Sequence, residues 1–434
     1  MNILKSQPIL DFNLLDAKSG AAICWLGQAG FLIEIDGIRF VIDAYLSDSL
    51  AIKYAGKKYP HKRMMPVPVE PSALLNIDWI LCTHAHTDHM DPGTLPLLLR
   101  ANSKAKVILP RAEASRAIER GVPADKIVLI DAGETLEVGS VKITAVPSAH
   151  EELKCTQDGY LFLGYVLQGA EISLWHSGDT IPWDGQVEWL LPFRVDVALL
   201  PVNGRDALRA ANGVPGNLNL SEAIALAEDI GAPAMIAHHF GLFEFNTIDI
   251  DDAKEELAAL EPKLEVRFAE LGVSWKVDPK KFRTLSVLIV CKGNICRSPL
   301  AEAILSLKLP SAHIDSAAIM NWNEGKAPHS QTQAIARSRG IDLSQLRARQ
   351  ISNSDFECFD VILCMDGENF SALHSLKPTN CRARIGMLGA YIQPGEIFDI
   401  PDPWGKDVDV FELVHNQIEL ACERFARLVV GSNH

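Results

Sequence analysis

The sequence predicts two α/β domains in tandem. Its 434 residues exceed what a single core usually supports. Strand and helix signals alternate, and each strand candidate ends where polar residues begin, the arrangement in which α/β proteins carry functional groups on loops. The alternation restarts after a polar stretch near Asp278 to Arg283, so the expected domains are 1–280 and 284–434. A hydrophobic content of 48% and a charged content of 22% give each part enough apolar residues for a core and argue against disorder.

The first part opens β-rich. "AICWLGQAGFLIEIDGIRFVIDA" reads as two alternating runs around the turn "IDGIR", a hairpin signal. A strand, "DWILCTH", leads into a histidine cluster. Strand and helix signals then alternate through "AKVILP", "ASRAIERGV", "KITAVPSAH", "ISLWHSGD", "DVALLPVNG", "LSEAIALAEDIGA" and "AMIAHH", and "VSWKV" reads as the last strand before the linker. In the second part "SVLIV", "CKGNICRS" and "PLAEAILSLKL" read as strand, loop and helix, with Pro299 at the first helical position, where its missing N–H is not needed. "SQTQAIARSRG" is a helix ending on Gly340, "FDVILCMD" a buried strand, and "VFELVHNQIELACERFARLVV" a long amphipathic helix. This is the pattern of a small parallel α/β unit.

Charge and cysteines narrow the function classes. The chain carries a net charge of −14 and both parts are acidic, so neither offers the basic surface that nucleic-acid binding uses for counterion release. No apolar run is long enough for a membrane span, and "MNILKSQPILDFNLLDAK" lacks a basic start followed by an uninterrupted apolar stretch. Nine cysteines, an odd number without a repeating framework, read as reduced thiols. The expectation is a soluble, cytoplasmic protein with a small phosphorylated substrate, without nucleic-acid or membrane partners. Homo-oligomerisation is left open.

"THAHTDHMDP" places His84, His86, Asp88 and His89 within six residues directly after a strand. Imidazoles at i and i+2 can chelate one ion, while the Asp88-His89 pair points elsewhere and can hold a second, as a dinuclear site requires. Single residues at later strand ends complete a set: His150 in "PSAH", Asp179 in "HSGDT" and a histidine of "AHHFGLF". H-x-H-x-D-H followed by isolated His, Asp and His resembles the metallo-β-lactamase superfamily, which implies an αββα sandwich and a two-metal hydrolytic centre. Within it, "WLGQAGFLIE", "IDWILCTHAHTDHMDP", "LLPVNGRD" and "GNLNLSEA" resemble the L-ascorbate 6-phosphate lactonase group, over roughly residues 20 to 250. The resemblance implies that His84, His86 and His150 hold one divalent ion, that Asp88, His89 and the last histidine hold the other, and that Asp179 is shared. His238 and His239 compete for that last place; "H-F-G-x-F" favours His239. A donor set of His and Asp suits Zn, Mn or Fe, with Zn or Mn expected. Asp88 is the expected base that orients the attacking water.

Arg205 and Arg209, after "VALLPVNG", are candidates for a substrate phosphate, since arginine pairs with it bidentately; the competing reading is two surface charges. "HKR" at 61 to 63 reads as a solvated loop. His176, His313, His329, His374, His415 and His434 read as structural.

In "CKGNICRSP", Cys291 and Cys296 lack further soft ligands for a metal clip, and a structural disulfide does not suit reduced thiols. The remaining reading is a loop between buried strand and helix. Gly293 permits unusual dihedrals there, and successive N–H groups at the helix start bind phosphate. The helix dipole and Arg297 favour a thiolate at Cys291, the nucleophile, and Arg297 can grip two phosphoryl oxygens. Asn294 and Ser298 would fix the loop.

"VCKGNICRSPLAEA", "HSQTQAIARSRGIDLSQLRARQIS" and "FDVILCMDGEN" resemble the low-molecular-weight protein tyrosine phosphatases over about 287 to 430. This implies a Rossmann-like parallel α/β domain in which Asp402 of "PDPWG" is the general acid. Trp404 stands where a Tyr is common and Lys292 in a variable position, which puts a tyrosine leaving group in doubt. Cys296 resembles a second loop cysteine that protects Cys291 as a reversible disulfide; a packed thiol is the competing reading. The combined expectation is a bifunctional hydrolase that opens a phosphorylated lactone or cyclic phosphodiester and then removes phosphate from the monoester. The alternatives are a metallohydrolase fused to a signalling tyrosine phosphatase, and an arsenate reductase using Cys358 and Cys364.

Overall fold

In the computed structural model of the chain, the run from Ala21 to Ile42 folds as three strands where two were expected: Ala21–Gly27, Gly30–Ile35 and Ile38–Ile42. The extra break is a turn at Gln28 and Ala29. It is entered through Gly27 (φ 95°) and Gln28 (φ 52°), left-handed conformations that glycine adopts freely and glutamine only at a cost. Residues 3–9, 11–15, 17, 19–278, 284–379 and 381–430 are described. The linker expected at 278–283 lies, after Asp278, outside them, as does His434.

The chain divides into two units, Met1–Trp183 with Arg194–Lys281, and Asp184–Phe193 with Phe282–His434. The short segment 184–193 thus interrupts the first part, where a single cut was expected. Within the second unit it is held by Tyr391 Oη, which donates to Glu188 O at 2.6 Å.

The first unit holds two mixed sheets. One has eight strands in the order Leu4–Pro8, Val273–Val277, Ala21–Gly27, Gly30–Ile35, Ile38–Ile42, Trp79–Leu81, Lys106–Pro110, Ile127–Ile130. The other has seven, in the order Glu265–Phe268, Ala234–His238, Val197–Pro201, Ser173–His176, Leu163–Gln168, Val141–Pro147, Thr135–Val138. Phe31 of the first sheet meets His176 and His238 of the second edge-on, with centroids 5.7 and 5.2 Å apart, so the sheets face each other. Ala21–Gly27 and Val197–Pro201 are buried at every residue, because each sheet is covered on both faces; such strands read as continuous apolar runs. Helix Leu220–Asp229 covers the second sheet. Asn219 caps it, its side chain accepting from Glu222 N while Glu222 bonds back to Asn219 N. Leu95–Ala101 buries Leu95, Leu98 and Leu99 in the core of the first.

The second unit has one four-stranded sheet, all parallel, in the order His313–Ala318, Ser286–Cys291, Val361–Cys364, Arg384–Met387. Helices Arg297–Lys308, Ser330–Ser338, Asn353–Cys358, Gly367–Leu376 and Val408–Val430 surround it. Pro299 is the third residue of its helix and not the first. A missing N–H is harmless there too, since the first four N–H groups of a helix have no internal partner. Among the described residues no helix is long and apolar enough to cross a membrane.

Candidate active sites

The first candidate site is built by loops that leave the ends of four strands drawn from both sheets. Trp79–Leu81 delivers His84 to His89, Val141–Pro147 delivers His150, Ser173–His176 delivers Asp179, and Ala234–His238 delivers His239. The ligand atoms of His84, His86, His150 and Asp179 lie within 4.8 Å of one another, as do those of Asp88, His89 and His239. These are the two groupings expected, and they include His239. His238 turns to the other side, stacked on His176 at 5.2 Å. Asp179 lies between the groups: its Oδ1 is 3.3 Å from His89 Nε2 and 3.1 Å from His239 Nε2, and its Oδ2 is 3.6 Å from His150 Nε2.

These atoms fit divalent cations. Among the described residues, His84 Nε2 and both ring nitrogens of His150 are buried without a hydrogen-bond partner, a costly state unless something else takes their lone pairs. Burial holds His84 well below the usual imidazole range, aided by the charges of His89 and His86, and takes His150 down to about 4. Burial opposes ionisation of Asp179, but His239 and His89 outweigh it and hold the carboxyl well below its usual range. Neutral imidazole and ionised carboxylate are the forms that bind metal. Burial also works against charging His89, yet Asp179, Asp43 and Asp88 raise it well above the usual imidazole range, a measure of how strongly this point attracts positive charge.

Two residues absent from the sequence reading hold this arrangement. Asp43, at the end of Ile38–Ile42, places Oδ2 2.7 Å from His89 Nδ1 and accepts from Thr83 N at 2.8 Å. With Nδ1 occupied, Nε2 of His89 faces Asp88 and Asp179. Gln28 Nε2 donates to Asp88 Oδ2 at 3.0 Å and lies 3.3 Å from His239 Nε2. Gln28, Asp43 and His239 all have left-handed backbone (φ 52°, 45° and 68°), a strain concentrated where geometry is most constrained. Both residues were legible only as an acid at a strand end in "RFVIDA" and a polar residue before "AGF".

Arg205 and Arg209 are not brought to this site. Arg205 pairs with Glu222 through both terminal nitrogens, at 2.6 and 2.7 Å, and Arg209 Nε pairs with Asp206 at 2.5 Å, so nearby carboxylates already occupy both guanidinium groups. Nor is 61–63 a solvated loop. His61 stacks on Tyr54 at 4.2 Å, and Arg63 Nη1 donates to Tyr45 O and Ser47 O at 3.1 and 3.3 Å.

The second candidate site lies at the carboxyl end of Ser286–Cys291, the middle of the parallel sheet, where the loop 292–296 curls into helix Arg297–Lys308. Asn294 N donates to Cys291 Sγ at 3.2 Å, and Ser298 Oγ lies 3.0 Å from the sulfur. Asn294, with φ 52°, ties the loop together: its Nδ2 donates to Ser298 Oγ and Ser316 Oγ, both at 2.8 Å, and its Oδ1 accepts from Arg349 N at 3.0 Å. A Cβ on Gly293 would stand 2.8 Å from Asn323 Nδ2, which donates to Gly293 O.

Arg297 is 1% exposed. Its Nη1 donates to Asp366 Oδ2 at 2.6 Å and to Ile400 O at 2.9 Å, its Nη2 is 3.0 Å from Asp402 Oδ2, and its Nε has no partner. The cation and the acid of the expected phosphate site, Arg297 and Asp402, are therefore paired directly, and the same guanidinium is anchored by Asp366. Asp366, which also caps helix Gly367–Leu376, was legible only as the acid ending "VILCMD". Burial pushes the Cys296 thiol up to about 12, with the charges of Cys291 and Asp402 adding to it, and its packing against Ile335 and Phe411 is that of a core thiol. Cys364 is buried as well, and burial raises it far above the usual thiol range.

Residues 286–432 match the family "Low molecular weight phosphotyrosine protein phosphatase", and residues 38–240 match "Beta-lactamase superfamily domain". The low molecular weight phosphotyrosine protein phosphatase of Sus scrofa is 41% identical over 155 residues, 34% of this chain and 96% of that protein. A low molecular weight protein-tyrosine-phosphatase of Bacillus subtilis is 40% identical over 146 residues, 32% of this chain and 92% of that protein. The solved structure of a metallo hydrolase from Ignicoccus hospitalis covers 61% of this chain and 100% of its own, at 18% identity and a TM-score of 0.44.

Proposed function

We propose that this chain, which belongs to the low molecular weight phosphotyrosine protein phosphatase family through its C-terminal part and carries a beta-lactamase superfamily domain ahead of it, is a bifunctional cytoplasmic hydrolase. The first centre opens a phosphorylated lactone or a cyclic phosphodiester, and the cysteine centre removes phosphate from the resulting monoester. The observation that carries this reading is that each unit holds a full set of reactive groups: the His84–His239 donor set in one, and Cys291, Arg297 and Asp402 in the other.

At the first centre two divalent cations, Zn or Mn, held by His84, His86, His150, Asp88, His89 and His239 with Asp179 between them, would supply Lewis acidity and an acidified water at neutral pH. Asp88, fixed by Gln28, would accept a proton from an attacking water and return it to the ester oxygen that departs as the ring bond breaks. Asp43 keeps His89 in the tautomer whose Nε2 faces the site. Phe162 lies 5.2 to 5.9 Å from His84, His86 and His150 and shields that wall from bulk water.

At the second centre Cys291 Sγ attacks phosphorus while Arg297 grips two equatorial oxygens, the P–O ester bond breaks, and Asp402 gives its proton to the departing oxygen. Asp402 then takes a proton from the water that attacks the cysteinyl-phosphate, which releases phosphate and returns the thiolate. Replacing Cys291 by serine leaves only the first centre working. A candidate phosphorylated lactone or cyclic phosphate should then accumulate as a phosphomonoester by mass spectrometry, whereas identical products from intact protein and variant with every candidate would end the coupling idea.

A second reading makes the cysteine centre a signalling phosphatase for phosphotyrosine. It is favoured by the names of the curated relatives, low molecular weight phosphotyrosine protein phosphatases. A clear preference for phosphotyrosine peptides over sugar and nucleotide phosphates would select it.

A further inference from the structure

Five of the donors of the first unit, His86, Asp88, His150, Asp179 and His239, line a cleft of about 1010 Å³. The chain is acidic overall, at −14, yet the walls of this cleft are basic. Lys53, Lys57 and Lys58 stand on one side, Arg116 and Arg120 on another, and among the described residues Glu113 is the one acid of the lining beyond Asp88 and Asp179. Burial raises Glu113 above the usual carboxyl range, which weakens its opposition to an anion.

The three lysines are exposed, but their segment is anchored. Tyr54 stacks on His61 at 4.2 Å, His61 meets Phe245 at 4.6 Å, and Tyr59 meets Phe245 at 4.8 Å. Lys53 Nζ lies 3.5 Å from Thr87 Oγ1, inside the metal-ligand loop, and Lys58 Nζ donates to Asn212 Oδ1 at 2.5 Å across the cleft mouth. Arg120 braces the floor, its Nη1 donating to His86 O at 3.2 Å and Met90 O at 2.8 Å. A row of ammonium groups on a fixed aromatic base, above a hydrolytic floor, is a recogniser of anions.

We infer that Lys53, Lys57 and Lys58 are specificity determinants of the first centre, binding the phosphate of a phosphorylated small-molecule ester in place of Arg205 and Arg209. The inference rests on the hydrolytic reading of that centre and names how its substrate is selected. Ammonium groups hold phosphate as point charges, so the contacts are strong enough to select and are screened by salt.

The test uses the full metal-loaded chain and two probes, gluconolactone and its phosphate ester, with kcat/KM measured for wild type, Lys53→Ala/Lys57→Ala/Lys58→Ala and Lys57→Glu. Wild type should prefer the phosphate ester by about 10- to 100-fold, as three ion-pair contacts permit, chiefly through KM. The triple variant should lose most of that preference, Lys57→Glu should lower it several-fold, and added salt should erode it in wild type more than in the triple variant. Equal kcat/KM for the two probes in wild type, or a preference unchanged in both variants, overturns the inference while the hydrolytic reading stands. Should no protein open either lactone, that reading fails on these esters, and calorimetric binding of gluconate phosphate still decides the inference. The contribution of the cysteine loop is common to all three proteins, so at least tenfold weaker binding to the triple variant supports it and equal binding overturns it.

Discussion

Asp43 Oδ2 and His89 Nδ1 lie 2.7 Å apart, and both side chains are fully buried. The carboxylate fixes the imidazole's tautomer, so a residue outside both donor groups of the expected centre sets the direction of one of its ligands. Asp43→Asn keeps the shape but loses the charge, and should weaken divalent-metal binding about 10- to 100-fold. Competition titration against a coloured chelator measures this. Unchanged affinity would mean that His89 is oriented by its packing alone.

Arg297 and Asp366 make a second such pair. Asp366→Asn leaves Arg297 with Ile400 O and Asp402 and should cost about 1.5–3 kcal/mol of stability, the range for a hydrogen bond to a charged group. It should also raise KM for phosphomonoesters, because the guanidinium is no longer held flat beneath the substrate. Chemical denaturation and steady-state kinetics on the same protein separate the two effects.

Asp402 should matter in proportion to the leaving group. Asp402→Asn should lower phosphomonoester hydrolysis about 10²- to 10⁴-fold for poorly leaving alkoxides and much less for nitrophenoxide, which needs no proton. A series of aryl and alkyl phosphates gives the slope. A uniform loss across the series would assign the acid elsewhere.

Glu302 supplies a pH dependence. Burial, opposed by the Ser316 hydroxyl that donates to it, pushes its carboxyl from 4.5 to about 7. Between those values the folded protein keeps a proton that the unfolded chain has released, so stability falls as pH rises from about 4.5 to about 7 and the loss is complete above it. Allowing for partial solvent screening, the difference is about 2 kcal/mol. Glu302→Gln should be the more stable protein at pH 8 and equal to wild type at pH 4, as read by urea midpoints. The opposite order would mean that Glu302 is ionised and satisfied in the folded state.

The parts of these sites that were legible in the sequence are those that crowd together along the chain. His84, His86, Asp88 and His89 fall in six residues, and Cys291 to Ser298 form one unbroken loop, so local spacing alone conveys their geometry. Asp43, Gln28 and Asp366 were missed because each acts on a partner 46, 60 or 69 residues away, and nothing in the local pattern marks the pairing. Arg205 and Arg209 were misplaced for the converse reason. The sequence displays two guanidinium groups, but the carboxylates that take them, Glu222 and Asp206, become partners only once helix Leu220–Asp229 and the turn before Ala207 have folded. The third strand of the opening meander was hidden by the same apolar continuity that buries it, since a two-residue turn at Gln28 leaves little polar signal.

The most direct measurement follows ester opening and phosphate release together in the metal-loaded wild type, Asp88→Ala and Cys291→Ser proteins, with a phosphorylated lactone or cyclic phosphate for the first reaction and a simple phosphomonoester for the second. Asp88→Ala should lose ester opening and keep phosphate release, and Cys291→Ser should do the reverse. If either substitution removes both activities from a folded protein, or neither from any, the chain does not house two independent hydrolytic centres.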